Sequence, residues 1–137
     1  MNVQNKKVVI VIDANLPLGL IANTAAVLAL TLGKRVEHIL GPDVYDASGL
    51  LHVGITTVPI PILKGTAEKL RSLRESAIDE RLLVVDFSDA AQTTTTYEAY
   101  TEKISTAITN DLLYLGIAIY GDSKLVNKLT GSMPLLR

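Results

Sequence analysis

The chain has 137 residues, is 48% apolar, 20% charged and 4% aromatic, and carries a formal net charge of −1 with no cysteine. That balance excludes a disordered tail, which would be poorer in aliphatics and richer in charge. It also excludes a disulfide scaffold or a cysteine zinc site. A single domain spanning residues 1–137 is expected, burying roughly two-thirds of its unfolded surface.

KKVVIVI (6–12) is a β-branched apolar run that predicts a fully buried strand. No charge lies between Asp13 and Lys34, an interval close to the ~20 apolar residues that cross a bilayer. Lys6 and Lys7 ahead of VVIVI also mimic a signal-peptide start. Against both readings, Asp13 splits the apolar run, and Pro17 and Gly19 interrupt any spanning helix. The stretch therefore predicts a buried strand followed by a buried helix over 16–33, stopped at Gly33, with Lys34 and Arg35 just beyond it. GPDVYDASG (41–49) is turn chemistry. LHVGITTVPIPIL (51–63) holds one or two short strands, with Pro59 and Pro61 marking an edge or a strand end.

Residues 64–78 predict an amphipathic helix with Ala67, Leu70, Leu73 and Ala77 on one face. RLLVVDF (81–87) is a second buried strand, and Thr95 with Glu98 fits a capping box. Tyr97, Tyr100, Ile104 and Ala107 then repeat at helical spacing. A third buried strand follows at 114–121, and a short helix at 124–129 stops at Gly131. This alternation predicts an α/β fold, a three-layer α/β/α sandwich around a mostly parallel or mixed sheet of about four to five strands.

In open α/β sheets ligands bind beyond the carboxyl ends of the strands. That rule selects the loops opened by Asp13, Asp86 and Asp122. Asp13 and Asp86 would pair across neighbouring strands to hold a cation or do acid–base chemistry; alternatively each caps its own loop by accepting backbone N–H groups. Asn23 sits in an otherwise apolar helix, where a buried amide must reach a loop carbonyl or a ligand. Asp13, Asn15, Asn23, Ser88, Gln92 and Thr93 form the candidate ligand-binding set, and Asp86 the candidate catalytic group.

LPLGLIAN lacks the G-x-x-x-x-G-K-S/T spacing and has no lysine, and G-x-G-x-x-G is absent, so no nucleotide cofactor is expected. His38 and His52 match no metal motif, and a hydrogen-bonded structural role is expected for His52. Ser88 has no local base to activate it. Lys64, Lys69, Arg71 and Arg74 read as a solvated face rather than a phosphate patch. The near-zero net charge and scarce aromatics argue against tight nucleic-acid binding. With Asn at position 2 and an LLR end, no lipidation or retention signal is visible, and a cytoplasmic protein is expected. IPIPIL and the terminal MPLL are the candidate exposed patches of a homodimer.

VVIVIDANLPLGLIANTAAVLALTLGK, IPIPIL, VVDFSDAAQTTTTYEAY and YLGIAIYGDSKLVNKLTGSMPLLR together resemble an uncharacterised bacterial family, "domain of unknown function two thousand", from Lys7 to Arg137. The resemblance implies the fold of the second type of peptidyl-tRNA hydrolase. On that likeness Asp86 falls where the hydrolase has a loop aspartate, the threonines after it fall in a comparable loop, and Thr130 and Gly131 match its Thr-Gly. The hydrolase's first-turn lysine, which stabilises developing negative charge, is replaced here by Leu18, Gly19, Leu20 and Ile21. Its helical glutamine and histidine are also missing, with Asn23 and Ala29 in the nearby register. Two readings follow: a small-molecule or peptide binding module that keeps the cleft without the catalysis, or a hydrolase of an ester or amide bond using Asp86.

Overall fold

Side-chain alternation along one strand sets the architecture of the computed structural model, which describes residues 5–137. In β1 (Lys6–Asp13), Val8, Ile10 and Ile12 turn to one side and Val9 and Val11 to the other, because successive residues of a strand face opposite ways. The first set packs with Leu28 and Leu32 of α1 (Leu18–Arg35). The second packs with Leu70, Leu73 and Ala77 of α2 (Ala67–Asp79) and Val126 of α5 (Ser123–Thr130). A strand apolar on both faces thus demands cover on both.

The remaining elements are β2 (Val44–Tyr45), β3 (Leu51–His52), β4 (Ile62–Gly65), β5 (Leu83–Ser88), α3 (Asp89–Gln92), α4 (Tyr97–Thr106) and β6 (Tyr114–Asp122). The main sheet has four strands in the order β4-β1-β6-β5. β4 runs parallel to β1, whereas β6 is antiparallel to both its neighbours. The sheet is therefore mixed. The reason lies in the connection from β5 to β6: α3 and α4 do not carry the chain back to the starting end, so β6 must return in the opposite sense.

α1 crosses close over β6 because Gly116 has no side chain there; a Cβ would meet Thr24 Cγ2 at 2.7 Å and Leu28 Cδ1 at 3.1 Å. The helix continues through Gly33 and ends at Val36, whose extended backbone still donates to the Leu32 carbonyl. Lys34 and Arg35 consequently lie in its last turn, at the negative end of its dipole, rather than beyond it. The cap of α4 is Thr96, not Thr95, and accepts the Ala99 N–H. Residues 64 and 65 belong to β4, so the second helix begins later than its amphipathic pattern suggested, behind the Thr66 cap.

IPIPIL and the chain end do not form separate exposed patches. They pair with each other: Leu63 bridges Leu135, Lys64 donates to the Pro134 carbonyl and Leu136 to that of Ile62. The C-terminal segment thus shields the outer edge of β4, a position that would otherwise offer unpaired amides. Among the described residues no helix is long and apolar enough to cross a membrane.

Candidate functional site

β1, β4 and β5 are mutually parallel, so their carboxyl ends share one end of the sheet, where β6 begins. Asp122 lies at the opposite end, paired with Lys6. Its carboxylate caps α5 by accepting the Lys124 and Leu125 N–H groups at 3.1 and 3.3 Å. The expectation of three converging aspartate loops is corrected to two, because the last strand is reversed.

Those two aspartates do not meet. β6 lies between β1 and β5, which separates Asp13 from Asp86 by two strand spacings, about 10 Å across the sheet. Asp13 accepts the Asn15 N–H at 3.0 Å, the loop-capping arrangement. Asn15 lines a shallow hollow of about 200 Å³ with Lys64, Thr66 and Lys69. Among the described residues no group of three or more His, Cys, Asp or Glu side chains could hold a metal.

Asp86 and Ser88 lie on the α2 side of β5. Asp86 accepts from Arg74 Nε at 3.1 Å, both side chains being about three-quarters buried. The same guanidinium lies 5.0 Å above the Tyr114 ring, a cation–π contact. One turn back, Arg71 donates to the Asn110 and Leu112 carbonyls and fastens the loop entering β6. Two of the four cations read as a solvated face therefore act as internal clamps. Ser88 is buried, and neither its hydroxyl nor that of Tyr114 has a hydrogen-bond partner among the described residues.

Asn23 is exposed, on the outward face of α1. The buried polar residue of that helix is its neighbour Thr24, whose hydroxyl donates to the Leu20 carbonyl at 2.7 Å. A residue's place around the helix, not the apolar character of its neighbours, decides its burial. His52 bonds Asp46 at 2.8 Å on the outlying ribbon, the hydrogen-bonded structural role expected of it.

Gln92 and Thr93 close α3, both exposed; the Thr93 hydroxyl donates to the Asp89 carbonyl and accepts from Lys103. The loop they enter forms one wall of a cleft of about 340 Å³. Val27 and Thr31 of α1 face it, Phe87 and Ala91 form its floor, and Thr94 to Thr96, Tyr97 and Tyr100 complete the wall. None of these side chains carries a charge at neutral pH. Tyr97 and Tyr100 share one helix as their spacing predicted, and their rings lie 5.6 Å apart and tilted along the cleft, Tyr97 being 79% exposed. Sequence spacing placed them on one helix face but carried no sign that this face meets a cleft.

Burial first, then the Asp86 charge, raises the Tyr100 phenol above the ordinary tyrosine range. Burial likewise raises Tyr114, against the opposing Arg74 charge, and Tyr120. All three remain neutral hydroxyl groups at physiological pH. Because the folded state holds these protons more tightly than the unfolded chain, their contribution is fully present below about pH 10 and is lost as pH rises through the folded values. Alkaline titration should show phenolate absorbance from these residues appearing together with unfolding. Tyr120→Phe should move that transition to higher pH.

The fold is thus a mixed α/β sheet protein with an uncharged cleft beside the carboxyl end of β5. The chain belongs to the family described as "Protein of unknown function (DUF2000)", whose model matches residues 6–137. A protein of unknown function from Agrobacterium tumefaciens strain C58 has a similar solved structure, with a TM-score of 0.88, 19% identity, and coverage of 96% of this chain and 97% of that one. At that identity the likeness speaks for the fold alone. No curated protein matches the chain.

Proposed function

We propose that this protein is a binding module for a small, neutral, largely apolar molecule or a short apolar peptide segment. The cleft between α1, α3 and α4 carries this reading. Its volume of about 340 Å³ falls at the lower end of the ~300–1,000 Å³ usual for ligand sites. Its composition follows the same rule, an apolar and aromatic lining with a few hydroxyls to set orientation. Lacking any charged lining residue, it would leave a phosphate or carboxylate desolvated and unpaired, which is costly. A neutral ligand suffers no such penalty, and the Tyr100 hydroxyl and the threonine hydroxyls supply its polar contacts.

Val27 tests the reading. It sits at the rim with 37% of its surface exposed, so arginine can be tolerated there by the fold. A thermal-shift screen with neutral aromatic compounds and apolar peptides should raise the Tm of the wild type by several degrees for at least one class. Val27→Arg should abolish that shift while leaving the unliganded Tm within ~2 °C. No shift with any neutral class, or one equal in both proteins, would overturn the reading.

The alternative is a hydrolase of an ester or amide bond on a three-layer sheet fold like that of the second peptidyl-tRNA hydrolase. The juxtaposition of Asp86 with Arg74 and the unpaired Ser88 hydroxyl on one strand favours it. On that reading Asp86 orients a water and Arg74 supplies the positive charge absent from the first turn. Release of amino acid from aminoacyl-tRNA analogues would then fall at least ~100-fold in Asp86→Ala. Activity that survives the substitution would remove Asp86 from the reaction.

A further inference from the structure

Residues 40–57 leave the body directly after α1 and return as an isolated two-stranded ribbon. Leu40 bridges Thr56, β2 pairs with β3, and Gly41 donates to the Ile55 carbonyl at 2.8 Å. The tip is tightly specified. Asp46 Oδ1 accepts the Ser48 and Leu50 N–H groups, Oδ2 meets His52 at 2.8 Å, and Gly49 turns the chain at φ +82°. Asp43 accepts the Gly54 N–H at 2.8 Å. Both aspartates of the ribbon are therefore engaged within it.

The apolar side chains of the ribbon are nonetheless bare. Val44, Tyr45, Leu50, Leu51, Val53 and Ile55 are 50–79% exposed, and they lie on both of its faces. A lone two-stranded ribbon is marginal in water, and an apolar one is a contact surface. The same chain carries a second bare apolar surface: the outward face of α1, with Leu18 and Leu30 80–81% exposed and Ala22 and Ala26 between them. That face lies within the stretch that has no charge from Leu16 to Gly33.

We infer that two copies of this chain associate by laying the ribbon of each along the outer face of the other's α1. Charge and area select the occupant. The α1 face runs out on the exposed cations Lys34 and Arg35, and the ribbon's acidic groups are Asp43 and Asp46, so each surface offers the other an apolar counterpart with opposite charge at its margin. Together they present apolar area on the order of the ~800 Å² per partner buried in a stable interface. One two-fold axis covers the outer face of α1 and one face of the ribbon in both copies, since in an isologous dimer each copy gives its ribbon and receives its partner's. The ribbon springs from the carboxyl end of α1 through Val36 and Ile39, both buried in the core on the α1 side, so its base is fixed relative to the helix it complements.

Sedimentation and light scattering should find a dimer with a Kd of ~1 µM or tighter. Val53→Lys with Ile55→Lys on the ribbon should raise that Kd at least ~100-fold, as should Leu30→Lys on α1 alone. Circular dichroism is the check that both variants keep the wild-type fold. Mixing them provides the decisive measurement: a mixed dimer keeps one wild-type ribbon on one wild-type α1, so association should recover relative to either variant alone. A wild type that stays monomeric at ~100 µM overturns the inference, and if that monomer adheres to uncharged lipid vesicles the face belongs to a membrane. A dimer unaffected by the variants, or mixing without recovery, likewise overturns ribbon-on-helix pairing.

Discussion

Leu28→Ala should destabilise the protein by about 3–4 kcal/mol, near the middle of the range for a leucine removed from a packed core. Leu28 is fully buried, at 0% exposure, and sits over Gly116 at the point where α1 lies closest to the sheet. The close approach restricts collapse around the lost atoms: Thr24 and Leu28 already fill the space that Gly116 leaves. The Tm should fall by roughly 10–15 °C, taking ~3–4 °C per kcal/mol for a chain of this size. Leu30→Ala, two residues on, should change stability by no more than ~0.5 kcal/mol, because that side chain is 80% exposed. Denaturant melts of the two variants at a protein concentration that keeps both monomeric measure the difference. Equal losses would mean that the outer face of α1 is buried in the monomer as well.

The contrast between these leucines marks how far the sequence could be read. The β-branched run of β1 and the Leu/Ala helix after it were legible, because strand and helix periodicities are local properties. The burial of the helix was legible for one face only. A charge-free helix satisfies the core on its inner side whatever its outer side does, so composition alone could not reveal that Leu18, Asn23 and Leu30 point to solvent. The sense of β6 was hidden for a different reason. It depends on where the long connection through α3 and α4 deposits the chain, and no local pattern encodes that. Placing β6 between β1 and β5 separated Asp13 from Asp86 and moved Asp122 to the far end. Arg74 was legible as a helix-surface cation, but its partner is twelve residues away on another element. The cleft escaped for the same reason: its walls come from α1, β5, α3 and α4, which meet only in the folded chain.

Gly54→Ala should open the ribbon while sparing the sheet. A Cβ on Gly54 would stand 1.9 Å from the Gly41 carbonyl oxygen and 2.9 Å from the Pro42 carbonyl carbon. Those obstacles are backbone atoms, so no rotamer change relieves the overlap and the two legs of the ribbon must separate by more than an ångström. Separation breaks the Gly54 to Asp43 bond and the Gly41 to Ile55 bond, each 2.8 Å long. Each such bond contributes ~1 kcal/mol, which a two-stranded ribbon has little surplus to lose. The main sheet makes its own hydrogen bonds and apolar contacts, so opening should remain local, with global stability of the monomer lowered by at most ~1 kcal/mol. Native-state hydrogen exchange should show the Gly41 and Thr57 amides losing at least ~30-fold in protection while those of β1 and β6 stay within ~5-fold of wild type. Glycine is required here by space, not by backbone conformation, and that requirement fixes how closely the two legs pass. If Gly54→Ala leaves the ribbon amides protected, the legs adjust without opening and the shape of the arm does not depend on this residue. If it opens them, a self-pairing that needs the arm intact must weaken with it, which ties an exchange measurement on single amides to the association of whole chains.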